Sequence, residues 1–165
     1  KNTQNNVVYS AADGVVVAVE DIYDSTFETE KYIQVSVFMS LFNVHLNWLP
    51  VNGMITDIKY LKGKYLVAKN PKSSMENEML CTMIESECGH KLIVKQIAGF
   101  IARRIVGFQS KGSRVKAGDE LGFIKFGSRV DLLLPLSASV KVKIGDKVKG
   151  LETIIATLHD KNKKD

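Results

Sequence analysis

The sequence has little cysteine, few aromatic residues and no long apolar run, and each shortage argues against a class of protein. Its 165 residues include two cysteines, Cys81 and Cys88, with no neighbouring ligand pair that would complete a zinc site. We interpret them as reduced thiols, with a disulfide between them as the alternative. No apolar run reaches the length of a membrane-spanning helix, and the polar first residues predict no signal peptide.

The low aromatic content and the net charge of the chain limit the classes of partner that it can bind. Aromatic residues make up 8% of the chain and are not interleaved with basic residues, so platforms for stacking bases are not expected. We predict no nucleic-acid partner, although a basic β-domain that binds nucleic acid remains a further hypothesis. The net charge of +5 suits either a solvated surface or an anionic membrane face. Histidine, cysteine and acidic residues never cluster at ligand spacing, so we predict no metal site.

Short runs of β-branched and large apolar residues dominate the pattern, and Gly, Asn and Asp separate them. One stretch, 97–106, predicts a helix because its isoleucines fall on one face, and 71–83 is either a loop or a short helix. The length suits one domain. We therefore predict a mainly β fold (β-rich α+β), a single compact domain over residues 1–165. Strands are predicted at 15–19, 33–38, 92–97 and 130–134.

Two segments share one pattern. Residues 115–122 read VKAGDELG and residues 142–150 read VKIGDKVKG. Each predicts a strand, a tight Gly-Asp turn and a return strand. This pattern is typical of the hammerhead β-hairpins of lipoyl and biotinyl domains, so we expect such elements in the fold.

The pair Gly127-Ser128 precedes a predicted strand. A plain turn is one interpretation, and a hydrolase nucleophile is disfavoured because the G-x-S-x-G pattern is absent. A third chemistry fits the pair. A serine hydroxyl can attack the carbonyl of the preceding residue, which as glycine is unshielded and can adopt a strained backbone. Elimination and hydrolysis would then convert the serine into a pyruvoyl group.

Four stretches of the chain, taken in order, carry a family resemblance. Residues 10–14 read SAADG, residues 38–53 read FMSLFNVHLNWLPVNG, residues 96–106 read QIAGFIARRIV and residues 127–131 read GSRVD. Together they resemble the phosphatidylserine decarboxylase family, in particular its short bacterial and archaeal form. The first stretch matches the family's usual SPADG, the second its F-M-S-x-x-x-V-H-x-N-x-x-P-x-x-G, the third its Q-I-A-G-x-x-A-R-R-I-V and the last its short-form cleavage site.

The resemblance implies a self-processing decarboxylase, a carboxy-lyase of phospholipid biosynthesis. The zymogen would cleave itself between Gly127 and Ser128 into a β chain, 1–127, and an α chain, 128–165, that stay together as a heterodimer. The cofactor would be the covalent pyruvoyl group made from Ser128. It would form a Schiff base with phosphatidylserine and release phosphatidylethanolamine and CO2.

The resemblance also implies roles for two further residues. Asp13 matches the aspartate that assists self-cleavage, although an Asp-Gly turn explains it equally well. His45 matches a general acid or base; without the resemblance a structural histidine would be favoured. Long-form enzymes carry a second histidine three positions later, where this chain has Trp48.

Substrate contacts are expected from two pairs of residues. Arg103 and Arg104 could bind phosphate or carboxylate through their guanidinium groups, or lie in solvent. Asn77 and Glu78 match an Asn-Glu pair in the family's substrate-facing loop, although such loops are often only connectors.

The expected substrate is phosphatidylserine in an anionic membrane, and archaetidylserine stays open. We expect a peripheral protein on the cytoplasmic side of the cell membrane, and exposed strand edges are compatible with a homodimer. The alternative function is a biotinyl- or lipoyl-like binding module without catalysis. It would need an acylated lysine, and Lys125 and Lys143 lie near turns without the usual flanking residues.

Overall fold

The computed structural model describes residues 6–40, 45–63, 77–99, 105–124 and 127–161. Within these ranges the chain forms β-strands and no α-helix. No helix long and apolar enough to cross a membrane occurs in this part of the chain. The strands are β1 Val7–Tyr9, β2 Gly14–Asp24, β3 Glu30–Met39, β4 Leu46–Trp48, β5 Gly53–Leu61, β6 Met79–Ser86, β7 Lys91–Ile97, β8 Ile105–Gly107, β9 Arg114–Val115, β10 Glu120–Ile124, β11 Ser128–Leu134, β12 Ser139–Val140, β13 Lys147–Val148 and β14 Ile154–Thr157.

The main sheet has eight strands in the order β13-β2-β3-β11-β7-β6-β5-β9, and it curls into a half-barrel. Two smaller sheets have the orders β1-β14-β12 and β4-β10-β8. The pairings within the sheets are antiparallel. The prediction of a mainly β fold is confirmed, and the four predicted strands lie within β2, β3, β7 and β11.

β11 lies in the middle of the main sheet, between β3 and β7. Its residues Val130, Leu132 and Leu134 belong to the large core cluster, whereas Leu133 belongs to a smaller cluster with Tyr32 and others. Successive side chains of a strand point to opposite faces. Ser128 therefore faces the same side as Val130, toward the large core.

The two Gly-Asp segments contain the same turn. Asp119 Oδ2 accepts a hydrogen bond from Lys116 N at 2.8 Å, and Asp146 Oδ2 accepts one from Lys143 N at 2.9 Å. The turns are present as predicted, and their flanking strands pair with other strands. β9 and β10 lie in different sheets, and so do β12 and β13, so each turn passes the chain from one sheet to another.

The predicted helix over 97–106 is wrong at both ends. Ile97 ends β7, and Ile105 begins β8; residues 100–104 lie outside the described ranges. The helical spacing of isoleucines was outweighed by β-branched side chains that pair across strands, as Ile97 does with Met79. The helix alternative for 71–83 is also wrong from Met79 onward, because β6 begins there. Both cysteines are free and buried.

Candidate active site

Ser128 is the first residue of β11 and pairs with Met39 of β3. It is 1% exposed, and its Oγ has no hydrogen-bond partner among the described residues. An unsatisfied buried polar group costs about 1–3 kcal/mol, and such groups in native structures call for an explanation, of which a catalytic role is one. A hydroxyl without a competing partner is free to turn toward the adjacent peptide bond.

Gly127 holds the peptide bond in front of Ser128 in an unusual conformation. Its φ of 61° lies in the left-handed region, which costs a residue with a Cβ about 1–2 kcal/mol. A Cβ built at this position would meet nothing within 4 Å. Glycine is therefore favoured by the backbone conformation, and the approach to its carbonyl is not obstructed by a side chain.

The backbone of His45 is hydrogen-bonded to Ile124, a residue that lies close to Ser128 in sequence. Its carbonyl oxygen accepts a hydrogen bond from Ile124 N at 3.2 Å, and β4, which follows it, pairs with β10. Ile124 precedes Ser128 by four residues, a stretch that spans at most about 14 Å. The fold therefore brings His45, 83 positions away in sequence, into the neighbourhood of the serine.

Asp13 lies at the same end of the main sheet, two strands from Ser128. It precedes β2, whose Val15 pairs with Phe38, and Phe38 pairs in turn with Arg129. Two strand spacings correspond to about 10 Å. Asp13 Oδ1 accepts a hydrogen bond from Gly150 N at 2.7 Å, so the carboxylate links the start of β2 to the segment between β13 and β14.

Asn77 and Glu78 precede β6 at this same end. Asn77 donates from Nδ2 to the Ala98 carbonyl at 3.0 Å, and Ala98 N donates to the Glu78 carbonyl at 2.9 Å. Asn77 Oδ1 is buried without a partner in the described part of the chain. Ala98 follows Ile97, the partner of Arg129 in β11. Arg103 and Arg104 lie outside the described residues.

The structure adds two residues that the sequence did not single out, Asn47 and Gln96. Gln96 Nε2 donates to Asn47 Oδ1 at 3.0 Å, and Asn47 Nδ2 donates to Met39 Sδ at 3.3 Å. Both residues stand inside the quoted motifs, at positions where a buried strand would ordinarily carry an apolar side chain. The polar side chains at these two strand positions were the signal by which the sequence could have identified Asn47 and Gln96.

The arrangement can support attack of Ser128 Oγ on its own preceding carbonyl. The hydroxyl is buried and unpaired, the carbonyl belongs to a glycine, and the backbones of His45 and Asp13 lie in the same region of the fold. These features fit the conversion of Ser128 into a pyruvoyl group, because that group would occupy the space of the serine itself. Among the described residues, no three histidine, cysteine or acidic side chains cluster as a metal site.

Comparison with known proteins gives a consistent result. The family model described as phosphatidylserine decarboxylase matches residues 1–156. The phosphatidylserine decarboxylase proenzyme of Amoebophilus asiaticus is 46% identical over 157 residues, which cover 95% of this chain and 70% of that protein. The Cytophaga hutchinsonii proenzyme is 45% identical over 155 residues, 94% and 70% of the two chains. The Wolbachia pipientis proenzyme is 44% identical over 161 residues, 95% and 70%. The chain belongs to the phosphatidylserine decarboxylase family.

Proposed function

We propose that this chain is a self-processing decarboxylase that acts on phosphatidylserine, with its catalytic carbonyl made from Ser128. The observation that carries the proposal is the buried, unpaired Oγ of Ser128 next to a left-handed Gly127. Membership of the family supplies the reaction, since its relatives are phosphatidylserine decarboxylase proenzymes. A biotinyl- or lipoyl-like module is not favoured by these relatives.

Self-cleavage would proceed on the chain's own atoms. Ser128 Oγ attacks the Gly127 carbonyl carbon, the peptide C–N bond breaks, and an ester joins the two residues. Removal of the Ser128 α-proton expels the Gly127 carboxylate and leaves a dehydroalanine. One water then replaces nitrogen, ammonia leaves, and a keto group remains at position 128. We assign acid–base work in these steps to His45, assisted by Asp13.

The two fragments, 1–127 and 128–165, would remain one fold after cleavage. β11 from the second fragment lies between β3 and β7 of the first. β13 pairs with β2, and β14 pairs with β1. Arg129, the second residue of the new fragment, pairs with Phe38 of β3 and Ile97 of β7. The new chain end is therefore held by strand pairing immediately beyond the cut, as a heterodimer requires.

The pyruvoyl keto group, once joined to the substrate amine, would supply an electron sink for the charge left as the carboxylate departs as CO2. We assign substrate binding to two pairs of residues, Asn77 with Glu78 and Arg103 with Arg104. The first pair lies at the Ser128 end of the sheet. Asn77 Oδ1 is a buried acceptor and is suited to an ammonium group. His45 would return a proton to the product.

Membrane association follows from the substrate. A lipid headgroup can reach a buried keto group only when the protein sits at the bilayer surface. We propose a peripheral location on the cytoplasmic side of the cell membrane, where a net charge of +5 would be attracted by anionic lipids. A homodimer formed through exposed strand edges is compatible with this location.

Intact-mass measurement of purified protein tests the proposal. The expected result is two polypeptides, 1–127 and 128–165, with the second lighter by one ammonia than a fragment that begins with serine. The second should react with phenylhydrazine, and Ser128→Ala should remain one chain. The cleaved protein should release CO2 from phosphatidylserine in vesicles, and the variant should not. An uncleaved wild-type chain that decarboxylates the lipid would refute the mechanism.

A further inference from the structure

Asn47 and Gln96 form a buried amide pair that connects three strands around the start of β11. Both residues are 0% exposed. Gln96 of β7 donates to Asn47 of β4, and Asn47 donates to the sulfur of Met39, the residue of β3 that pairs with Ser128. The amide pair is therefore hydrogen-bonded to Met39, the residue directly opposite the proposed nucleophile on the neighbouring strand.

Gln96 and Ser128 lie on the same face of the sheet. Gln96 pairs with Val130, which places Ser128 at the diagonal position on the adjoining strand. Diagonal neighbours are about 7–8 Å apart between backbones, within reach of a long side chain. Gln96 uses one N–H of its Nε2 for Asn47, whereas its Oε1 has no partner among the described residues and can accept from Ser128.

The two side chains have complementary unused atoms. Gln96 Oε1 is a buried acceptor without a partner in the described ranges, and Ser128 Oγ is a buried hydroxyl in the same state. An apolar side chain at position 96 would avoid the cost of the unsatisfied carbonyl. A role limited to filling the core therefore does not explain a glutamine there, whereas an acceptor for a hydroxyl proton does.

Gln96 has little freedom to turn elsewhere. A Cβ built on Gly122 of β10 would lie 3.1 Å from Gln96 Nε2 and 2.0 Å from the Val106 carbonyl oxygen. The backbone of β10 thus closes one side of the amide group, and Asn47 holds the nitrogen. Rotation about the short Ser128 side chain is the remaining way to join Oε1 and Oγ.

We infer that Gln96 is a catalytic residue of self-cleavage and that Asn47 is its positioning residue. Gln96 Oε1 accepts the hydrogen bond of the Ser128 hydroxyl and orients Oγ toward the Gly127 carbonyl carbon, while a separate base removes the proton. Asn47 acts through Gln96, because it fixes the amide so that oxygen, not nitrogen, faces Ser128. This inference rests on the proposed function.

The experiment measures how fast the uncleaved precursor disappears after a short pulse of cell-free translation. Gln96→Leu and Asn47→Leu should each slow cleavage about tenfold or more, the effect of a lost hydrogen bond at a reacting atom. The double variant should be no slower than Gln96→Leu, because the pair acts as one unit. Asn47→Asp keeps the acceptor for Gln96 Nε2 and should restore most of the rate.

A second arm separates orientation of the hydroxyl from general destabilisation. In a Ser128→Cys background, thioester formation is followed by cleavage with hydroxylamine. A thiol is a weak hydrogen-bond donor and attacks as the thiolate, so it gains little from an oriented acceptor. Gln96→Leu should therefore slow the cysteine chain by less than about threefold, whereas general loosening of the core would slow both chains equally.

Gln34→Leu is the matched control. Gln34 is a half-buried glutamine of β3 that donates to Ser36 Oγ at 3.2 Å, and it pairs with Leu133, on the face opposite Ser128. It should leave the cleavage rate unchanged, with circular dichroism confirming the fold of each variant.

The outcomes distinguish the two proposals. If wild-type protein does not cleave, the proposed function fails. If wild-type protein cleaves and Asn47→Leu or folded Gln96→Leu matches its rate, the inference is overturned. Additive effects in the double variant, or equal slowing of the serine and cysteine chains, also overturn it.

Discussion

The indole ring of Trp48 lies against the backbone of Gly150. A Cβ added to Gly150 would come within 2.2 Å of the ring carbons Cε3 and Cζ3, and the Gly150 N–H donates to Asp13 Oδ1 at 2.7 Å. By the family resemblance, Trp48 stands where long-form enzymes would carry a second histidine. In this chain Trp48 packs against Gly150, whose N–H donates to Asp13.

Gly150→Ala should therefore destabilise the protein. The methyl group would force the ring or the backbone to move, and overpacking of this kind costs about 1–3 kcal/mol. Denaturant unfolding of the uncleaved Ser128→Ala chain, with and without the change, measures the difference. Trp48→Leu in the same background should reduce the penalty because it removes the clashing ring; an unchanged penalty would show that the ring is not its cause.

Asp13→Asn separates the two roles of this residue. Asparagine keeps an oxygen that can accept from Gly150 N, so the free energy of unfolding should change by less than about 1 kcal/mol. It removes the negative charge, so self-cleavage should slow about 100-fold if the carboxylate assists a base. Precursor loss over time measures the rate. Normal cleavage would leave Asp13 with only its structural contact to Gly150.

Gly127→Ala should slow self-cleavage for a conformational reason. The added Cβ meets nothing within 4 Å, so the effect comes from the φ of 61°, where alanine is strained by about 1–2 kcal/mol. Gly127→Asn should cleave faster than Gly127→Ala, because asparagine adopts this region more readily. The assay measures the rate of precursor loss for both variants. Equal rates would argue for a steric effect of the added side chain and against strain at this φ.

The ion pair between Lys95 and Asp24 predicts a pH dependence of stability. Burial pushes the pKa of Asp24 up, but hydrogen bonds from Lys95 and Thr26 outweigh it and hold the pKa below its ordinary value of 3.8. A lowered pKa in the folded state stabilises the fold above pH 3.8, and this contribution is lost as the pH falls through the folded-state pKa.

Asp24→Asn should therefore be less stable than the parent chain at neutral pH, and the difference should shrink as the pH falls below about 4. Denaturant unfolding of the uncleaved chain at several pH values measures it. Asp21→Asn is the control, because Asp21 lies exposed in the same strand. A constant difference between Asp24→Asn and its parent across this range would contradict the assignment.

Local pattern was sufficient for much of the architecture. The runs of β-branched and large apolar residues at 15–19 and 130–134 form strands because such side chains suit a buried or half-buried pleated surface. The Gly-Asp turns form because an aspartate carboxylate accepts from the backbone three residues before it, as Asp119 and Asp146 do. The motifs around Asp13, His45 and Ser128 also indicate the family, because they are read from residues close in the chain.

Long-range pairing decided the rest. The sequence alone determined four of the strands, the Gly-Asp turns and the family, because these depend on residues close in the chain. Only the tertiary structure brought Asn47 to Gln96, across 49 positions, and put both ends of the expected helix, Ile97 and Ile105, into strands. Strand order and register are set by contacts between distant segments, and it is that register that places a buried glutamine carbonyl diagonal to the hydroxyl of Ser128.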